Sequence, residues 1–190
     1  FTATEEALAH LGLAACSGDG LDVVVGGLGL GHTAKAVLDD ARVSRLQVIE
    51  TLPQVIGWHR DRLVPLGAEL TSDGRCSFVQ ADFFALAAAG IEDGVDGPHC
   101  FDAILVDIDH TPSHHLNSRH ADFYRPDGLA RVRAQLVPDG VFALWSDDPP
   151  DTDFVGRLEE VFSTATALVV SFPNLHTGGE SACTVYVTNR

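Results

Sequence analysis

Residues Leu21–Leu38 read LDVVVGGLGLGHTAKAVL, and this stretch decides the architecture. A β-branched run, Leu21–Val25, ends in glycines, and a helix begins near Thr33 with Ala and Val on one face. Branched side chains favour a strand. Glycines then let the backbone turn tightly into a helix whose first N–H groups lack partners within the helix. Gly27, Gly29 and Gly31 are therefore candidate ligand-contacting positions, because backbone without Cβ can approach a bound molecule closely.

Working outward, strand-like and helix-like runs alternate. Leu46–Glu50 reads as a second strand, after which Thr51 is expected to cap and Pro53 to open a helix running to about Leu66. Cys76–Gln80 is a third strand and Phe83–Ala89 a helix. Gly90–Pro98 (GIEDGVDGP) has the composition of a flexible insert. Phe101–Ile108 (FDAILVDI) is continuously apolar, as suits a strand covered on both faces. A helix over Pro126–Leu136 leads into a fifth strand at Val141–Trp145, then a helix over Asp151–Phe162. Thr166–Phe172 and Cys183–Thr188 are the last two strands; the segment between them is too short for a crossover helix, so the final strand returns antiparallel. The expected fold is α/β: one domain over residues 1–190, a doubly wound seven-stranded sheet, mostly parallel with an antiparallel last strand.

Composition narrows the function. The 190 residues are 45% apolar and 21% charged, enough for a packed core and against general disorder. No apolar run approaches the ~20 residues of a membrane span. A formal charge of −15 repels a phosphate backbone and attracts cations, so the expected partner is a small molecule, not a nucleic acid or a membrane. Cys16, Cys76, Cys100 and Cys183 are scattered, without metal-ligand spacing, and nothing near Phe1 resembles a signal peptide; the expected setting is cytoplasmic, with reduced thiols.

Glu50 ends the second strand, where a carboxylate can accept both hydroxyls of a ribose. With the glycine turn it points to an adenosine-containing ligand. A turn that merely packs a helix on the sheet needs neither four glycines nor a placed acid. Gly29-Leu30-Gly31-His32-Thr33-Ala34 also fits the GxGxxA form of the dinucleotide fingerprint, which keeps NAD open. Asp82 can accept from an adenine amino group, cap the helix that follows, or do both. Beyond the fourth strand, Asp107, Asp109 and His110 are the candidates for chemistry, the two acids expected on one side of an extended chain. His110, His114, His115 and His120 with Asp107, Asp109 and Asp122 raise a metal reading, but Pro112 interrupts the helix that would align them and no metal is expected.

Six stretches in order, Val23–Gly31 (VVVGGLGLG), Val48–Glu50 (VIE), Gln80–Phe84 (QADFF), Phe101–Pro112 (FDAILVDIDHTP), Ala121–Tyr124 (ADFY) and Leu136–Ser146 (LVPDGVFALWS), resemble the catalytic domain of spermidine synthase-like aminopropyltransferases, a branch of the class I S-adenosylmethionine-dependent methyltransferase fold. The resemblance implies strand order 3-2-1-4-5-7-6 and S-adenosylmethionine or its decarboxylated form as donor to a polyamine-like acceptor, in a homodimer. It also implies that Glu50 holds the ribose, Asp82 lies near the adenine, Asp107 stands at the site of amine attack, and Tyr124 and Asp147 lie near the acceptor. Three departures are visible. The family's GGGDGG loop, whose Asp binds the donor's amino group, reads GGLGLG here. Its DSSDP element reads Asp107-Ile108-Asp109-His110-Thr111-Pro112. Its N-terminal β-hairpin domain has no counterpart before Leu21. An adenosyl-donor transferase with another acceptor, or a methyltransferase, accommodates these departures. A non-catalytic nucleoside-binding protein is the reading from another class.

Overall fold

The structure is a computed structural model that describes residues 2–91, 100–174 and 178–190. It opens with a helix that the sequence reading passed over, α1 (Ala3–Ala14), followed by β1 (Leu21–Gly26), α2 (His32–Asp39) and β2 (Val43–Glu50). Next come α3 (Pro53–Arg60), α4 (Gly67–Ser72), β3 (Cys76–Gln80), α5 (Phe83–Ala89) and β4 (Phe101–Val106). A 3-10 turn at Ser118–Asp122 precedes α6 (Pro126–Ala134) and β5 (Leu136–Ser146), and α7 (Thr152–Glu159), β6 (Thr164–Asn174) and β7 (Gly179–Asn189) complete the chain. The flexible insert expected at Gly90–Pro98 falls, from residue 92 onward, outside the described residues.

The strands form one sheet in the order β3-β2-β1-β4-β5-β7-β6, parallel through β5 and antiparallel where β7 pairs with β5 and with β6. This is the doubly wound, mostly parallel sheet with an antiparallel last strand read from the sequence, and the order matches as well. Alternation along the strands divides the core into two layers. Val23 and Val25 of β1, Leu105 of β4 and Ala143 of β5 pack beneath Leu8, Leu13 and Val37 of α1 and α2. Val24, Ile104, Val106 and Phe142 face the other way, onto Phe83, Leu129 and Phe154 of α5, α6 and α7. Among the described residues no helix is long and apolar enough to cross a membrane.

Three differences from the expected elements lie close to the strand tips. The helix expected from Pro53 to Leu66 stops at Arg60 because Arg62 adopts a left-handed φ of 58°, and the chain re-enters helix only at Gly67. Thr51 does not cap α3: Leu52 holds that position without a side-chain bond, and the Thr51 hydroxyl donates to the Ala81 carbonyl at 3.2 Å. The fourth strand ends at Val106, not Ile108: its pairing with β1 stops where β1 itself ends, at Gly26, and its pairing with β5 stops at Leu144. Asp107 and Asp109 consequently lie past the last rung of the ladder, and the expected alternation does not carry across them.

Candidate functional site

The glycine turn sits where β1 meets α2, at the carboxyl end of the parallel strands, the edge at which open α/β sheets bind ligands. Two glycines are required by its shape. Gly27 has φ 96°, and a Cβ there would lie 2.3 Å from the Asp107 carbonyl oxygen, so the loop rests directly on the tip of β4. Gly31, φ 93°, precedes α2, and a Cβ there would strike Leu70 and His59. His59 is fully buried beneath the loop, its Nε2 3.0 Å from the Gly29 carbonyl oxygen, which must accept; its Nδ1 has no partner among the described residues.

Above this loop lies a cavity of about 220 Å³ walled by Gly27–Thr33, Asp107 and Glu5. The structure thus brings together Gly27, Gly29, Gly31 and Asp107. The Asp107 carboxylate accepts from the Thr33 hydroxyl at 3.0 Å. Burial, opposed by that hydrogen bond and reinforced by the nearby charge of Glu5, pushes its carboxyl up to about 6. An acid so poised changes protonation near neutrality, as a proton acceptor must. Glu50, at the tip of β2, accepts from the Leu28 backbone N–H at 3.1 Å and from that of Leu52 at 2.8 Å. It therefore braces the outer lip of the turn, with lone pairs left over on both oxygens.

Other candidates lie apart from this cavity. Asp82 caps α5, accepting from the Phe84 and Ala85 N–H groups at 2.9 and 3.2 Å. It borders a second cavity, of about 300 Å³, with Phe84, Arg119, His120 and Arg131. Asp109 is 3% exposed, and its oxygens accept from Leu116 N at 2.7 Å, His120 Nδ1 at 2.9 Å and the Tyr124 hydroxyl at 2.9 Å. A carboxylate so fully engaged anchors the loop after β4. Tyr124 is buried, 1% exposed, with its phenol directed to Asp109; burial and that neighbouring charge hold its hydroxyl well above the usual range. It forms part of the packing behind the loop, not an exposed acceptor surface.

His110 is exposed, its ring 5.4 Å from that of His114, and its carbonyl accepts from Asp147 N–H at 2.8 Å. Asp147 is exposed beyond β5 and is not part of the glycine-loop cavity. Among the described residues no three His, Cys, Asp or Glu side chains converge as a metal site would require. The four cysteines are free thiols, with burial pushing Cys16 up to about 11 and Cys76 up to about 12.

Glu5 is the site residue the sequence reading missed. The signal for its helix was available, though not for its place at the cavity: Thr4, Leu8 and Gly12 recur at helical spacing, as do Ala9 and Leu13, among good helix formers with two acids in the first turn.

No protein-family model matches the chain. Among solved structures it is similar to the spermidine synthase of Thermotoga maritima, with a TM-score of 0.75 at 20% identity over 99% of this chain and 60% of that one. A spermidine synthase in complex with the transition-state analogue AdoDATO gives 0.77 at 20% identity, with the same coverage of both chains. The chain shares the fold of spermidine synthases and class I methyltransferases. Human methyltransferase-like protein 13, in complex with SAH, aligns with a TM-score of 0.67 at 20% identity over 98% of this chain and 82% of its own. The chain spans about 60% of the length of the spermidine synthases it matches.

Proposed function

We propose that the chain is a transferase that uses S-adenosylmethionine or its decarboxylated form to alkylate a small cationic acceptor, by aminopropyl or methyl transfer. One observation carries the reading. At the carboxyl edge of a sheet ordered as in spermidine synthases and methyltransferases, a left-handed glycine turn is bonded at one end to a carboxylate at the tip of β2, through Leu28 N–H, and at the other to a carboxylate beyond β4, through the Thr33 hydroxyl. The cradle fits such a donor: the loop lies flat on β4 because Gly27 has no side chain, and the space over Gly29 is open. Glu50 would hold the ribose hydroxyls, and the backbone of Gly27–Gly31 would face the rest of the donor.

A sulfonium donor supplies an already activated carbon, so the protein's work is placement and proton removal. The acceptor nitrogen or oxygen attacks that carbon, the C–S bond breaks to leave a neutral thioether, and the proton released passes to Asp107. The acidic surface draws in both cationic reactants, and its charge argues for a small-molecule partner over a nucleic acid or a membrane.

The test is calorimetry with S-adenosylmethionine, decarboxylated S-adenosylmethionine, methylthioadenosine and NADH, followed by mass spectrometry of amine and hydroxyl acceptors incubated with the donor that binds. Binding of an adenosyl ligand with a mass gain on an acceptor supports the proposal. Binding of NADH alone would replace it with a nicotinamide oxidoreductase, and adenosyl binding without any product would replace it with a nucleoside-binding protein.

A further inference from the structure

His59 is the polar member of the buried face of α3, beside Val55 and Ile56, and is itself fully buried. Its place is tightly set. Phe78 meets the ring edge-on at 5.7 Å between centroids, and a Cβ on Gly31 would come within 2.9 Å of its Cε1. Gly67, at the start of α4, packs so closely on the backbone of His59 that a Cβ there would lie 2.7 Å from its carbonyl oxygen.

Burying a polar side chain costs free energy unless its polar atoms find partners. Here one does and one does not: Nε2 lies 3.0 Å from the Gly29 carbonyl oxygen, while Nδ1 has no partner among the described residues. A leucine would fill the same space without an unmet nitrogen. What the imidazole adds is a hydrogen-bond donor beneath the glycine turn. Because a carbonyl only accepts, the hydrogen lies on Nε2 and the lone pair on Nδ1.

The consequence falls on the peptide that joins Gly29 to Leu30. The Gly31 N–H closes a turn onto the Leu28 carbonyl at 2.8 Å, with Gly29, φ 47°, and Leu30 at its centre. No described peptide bond is cis, and across a trans peptide the carbonyl and the following N–H point in opposite directions. With the Gly29 carbonyl held by His59, the Leu30 N–H is directed away from that ring. His59 does not wall the glycine-turn cavity, whereas Leu30 does. Among the N–H groups of this turn, that of Gly27 donates to the Ile49 carbonyl, that of Leu28 to Glu50 and that of Gly31 to Leu28. The Leu30 N–H has no acceptor among the described residues, so it is left for a ligand.

We infer that His59 is a positioning residue: by holding the Gly29 carbonyl it aims the Leu30 N–H at a hydrogen-bond acceptor on the bound donor. The inference rests on the adenosyl-donor reading above and adds to it the buried side chain through which the turn is set for binding.

The experiment is calorimetry with S-adenosylmethionine and decarboxylated S-adenosylmethionine on the intact chain, His59→Leu and His59→Gln, whose amide nitrogen can stand in for Nε2. For the donor that the parent binds more tightly, His59→Leu should lose about 10-fold or more in affinity, and His59→Gln should stay within about threefold of the parent. The same comparison in a Leu30→Pro background, which lacks the N–H, should show less than about a twofold further loss from His59→Leu. Equal losses in His59→Leu and His59→Gln, or an undiminished effect of His59→Leu in that background, would overturn the role of His59 and leave the adenosyl reading in place. A parent chain that binds neither donor would overturn both. Should His59→Leu not fold, NMR of the parent decides. Hydrogen on Nε2 with a Leu30 amide signal that shifts on donor binding supports the role, and hydrogen on Nδ1 alone, or a Leu30 amide unmoved by the bound donor, overturns it.

Discussion

The Thr33 hydroxyl donates to the Asp107 carboxylate at 3.0 Å, tying the first turn of α2 to the residue that follows β4. It spans the switch point of the sheet, where β1 has β2 on one side and β4 on the other. The bond does two things at once: it holds the glycine turn onto the strand tips, and it offsets part of the desolvation that raises Asp107.

Asp107 should give the protein a pH signature. Below about pH 4 its carboxyl is protonated in both the folded and the unfolded chain and contributes nothing. Above about 6 it is ionised in both, and the native state bears the cost of a buried charge. Between these values the folded chain keeps a proton that the unfolded chain has lost, so stability from this group falls as pH rises from about 4 to about 6, by on the order of 2–3 kcal/mol. Glu5 and His32 line the same cavity. Denaturant titrations at several pH values should show the slope in the parent and a flatter profile in Asp107→Asn. Turnover should rise with pH through about 6 in the parent, and Asp107→Asn should bind donor yet transfer slowly.

Glu50→Ala should weaken adenosyl-ligand binding by about 1.5–3 kcal/mol, from the loss of charge-assisted hydrogen bonds to the ribose. The same substitution removes the acceptor for the Leu28 and Leu52 N–H groups, so the lip of the turn should also loosen. Calorimetry reads the first effect, and hydrogen exchange at Leu28 the second. Unchanged affinity with faster exchange would confine Glu50 to a structural role.

Asp109→Ala should destabilise the fold by about 3 kcal/mol without a specific effect on donor affinity. It strands three donors, Leu116 N–H, His120 Nδ1 and the buried Tyr124 hydroxyl, that now share one carboxylate. Equilibrium denaturation measures the loss. A variant as stable as the parent would mean that the loop after β4 is held by other contacts, such as the His120 ring stacked on Phe84 at 3.8 Å.

Much of the fold was legible because local signals agreed with global ones. The expected ranges for Cys76–Gln80 and Phe83–Ala89 coincide with β3 and α5, where a short strand runs into an Asp-capped, alanine-rich helix. The antiparallel finish followed from loop length alone. Legibility failed where distant backbone decides. Residues 136–140 read as a helix end and a turn, yet Leu136 pairs with Phe101 and starts β5 early, with Asp139 at φ 63°. The pairing of Glu5 with Asp107 in one cavity is equally unreadable: nothing near residue 5 shows that its helix lies across β4. The use of Asp109 as an anchor was hidden for the same reason, since its partners lie up to 15 residues further along the chain.

Gly27→Ala probes the contact on which the cavity depends. At φ 96° an L side chain is strained, at a cost of about 1–3 kcal/mol. The added methyl would also sit 2.3 Å from the Asp107 carbonyl oxygen and 3.2 Å from Ile108 Cγ1, which no side-chain rotation relieves because the obstacle is backbone. The turn must therefore lift from β4, lengthening both the Thr33–Asp107 and the Leu28–Glu50 bonds. The expected outcome is a loss of about 3 kcal/mol in stability together with loss of adenosyl-ligand binding. Gly74→Ala, at a position with open space around it, serves as the control and should lose neither. If Gly27→Ala bound ligand as the parent does, the close seating of the turn on β4 would not be what shapes the site.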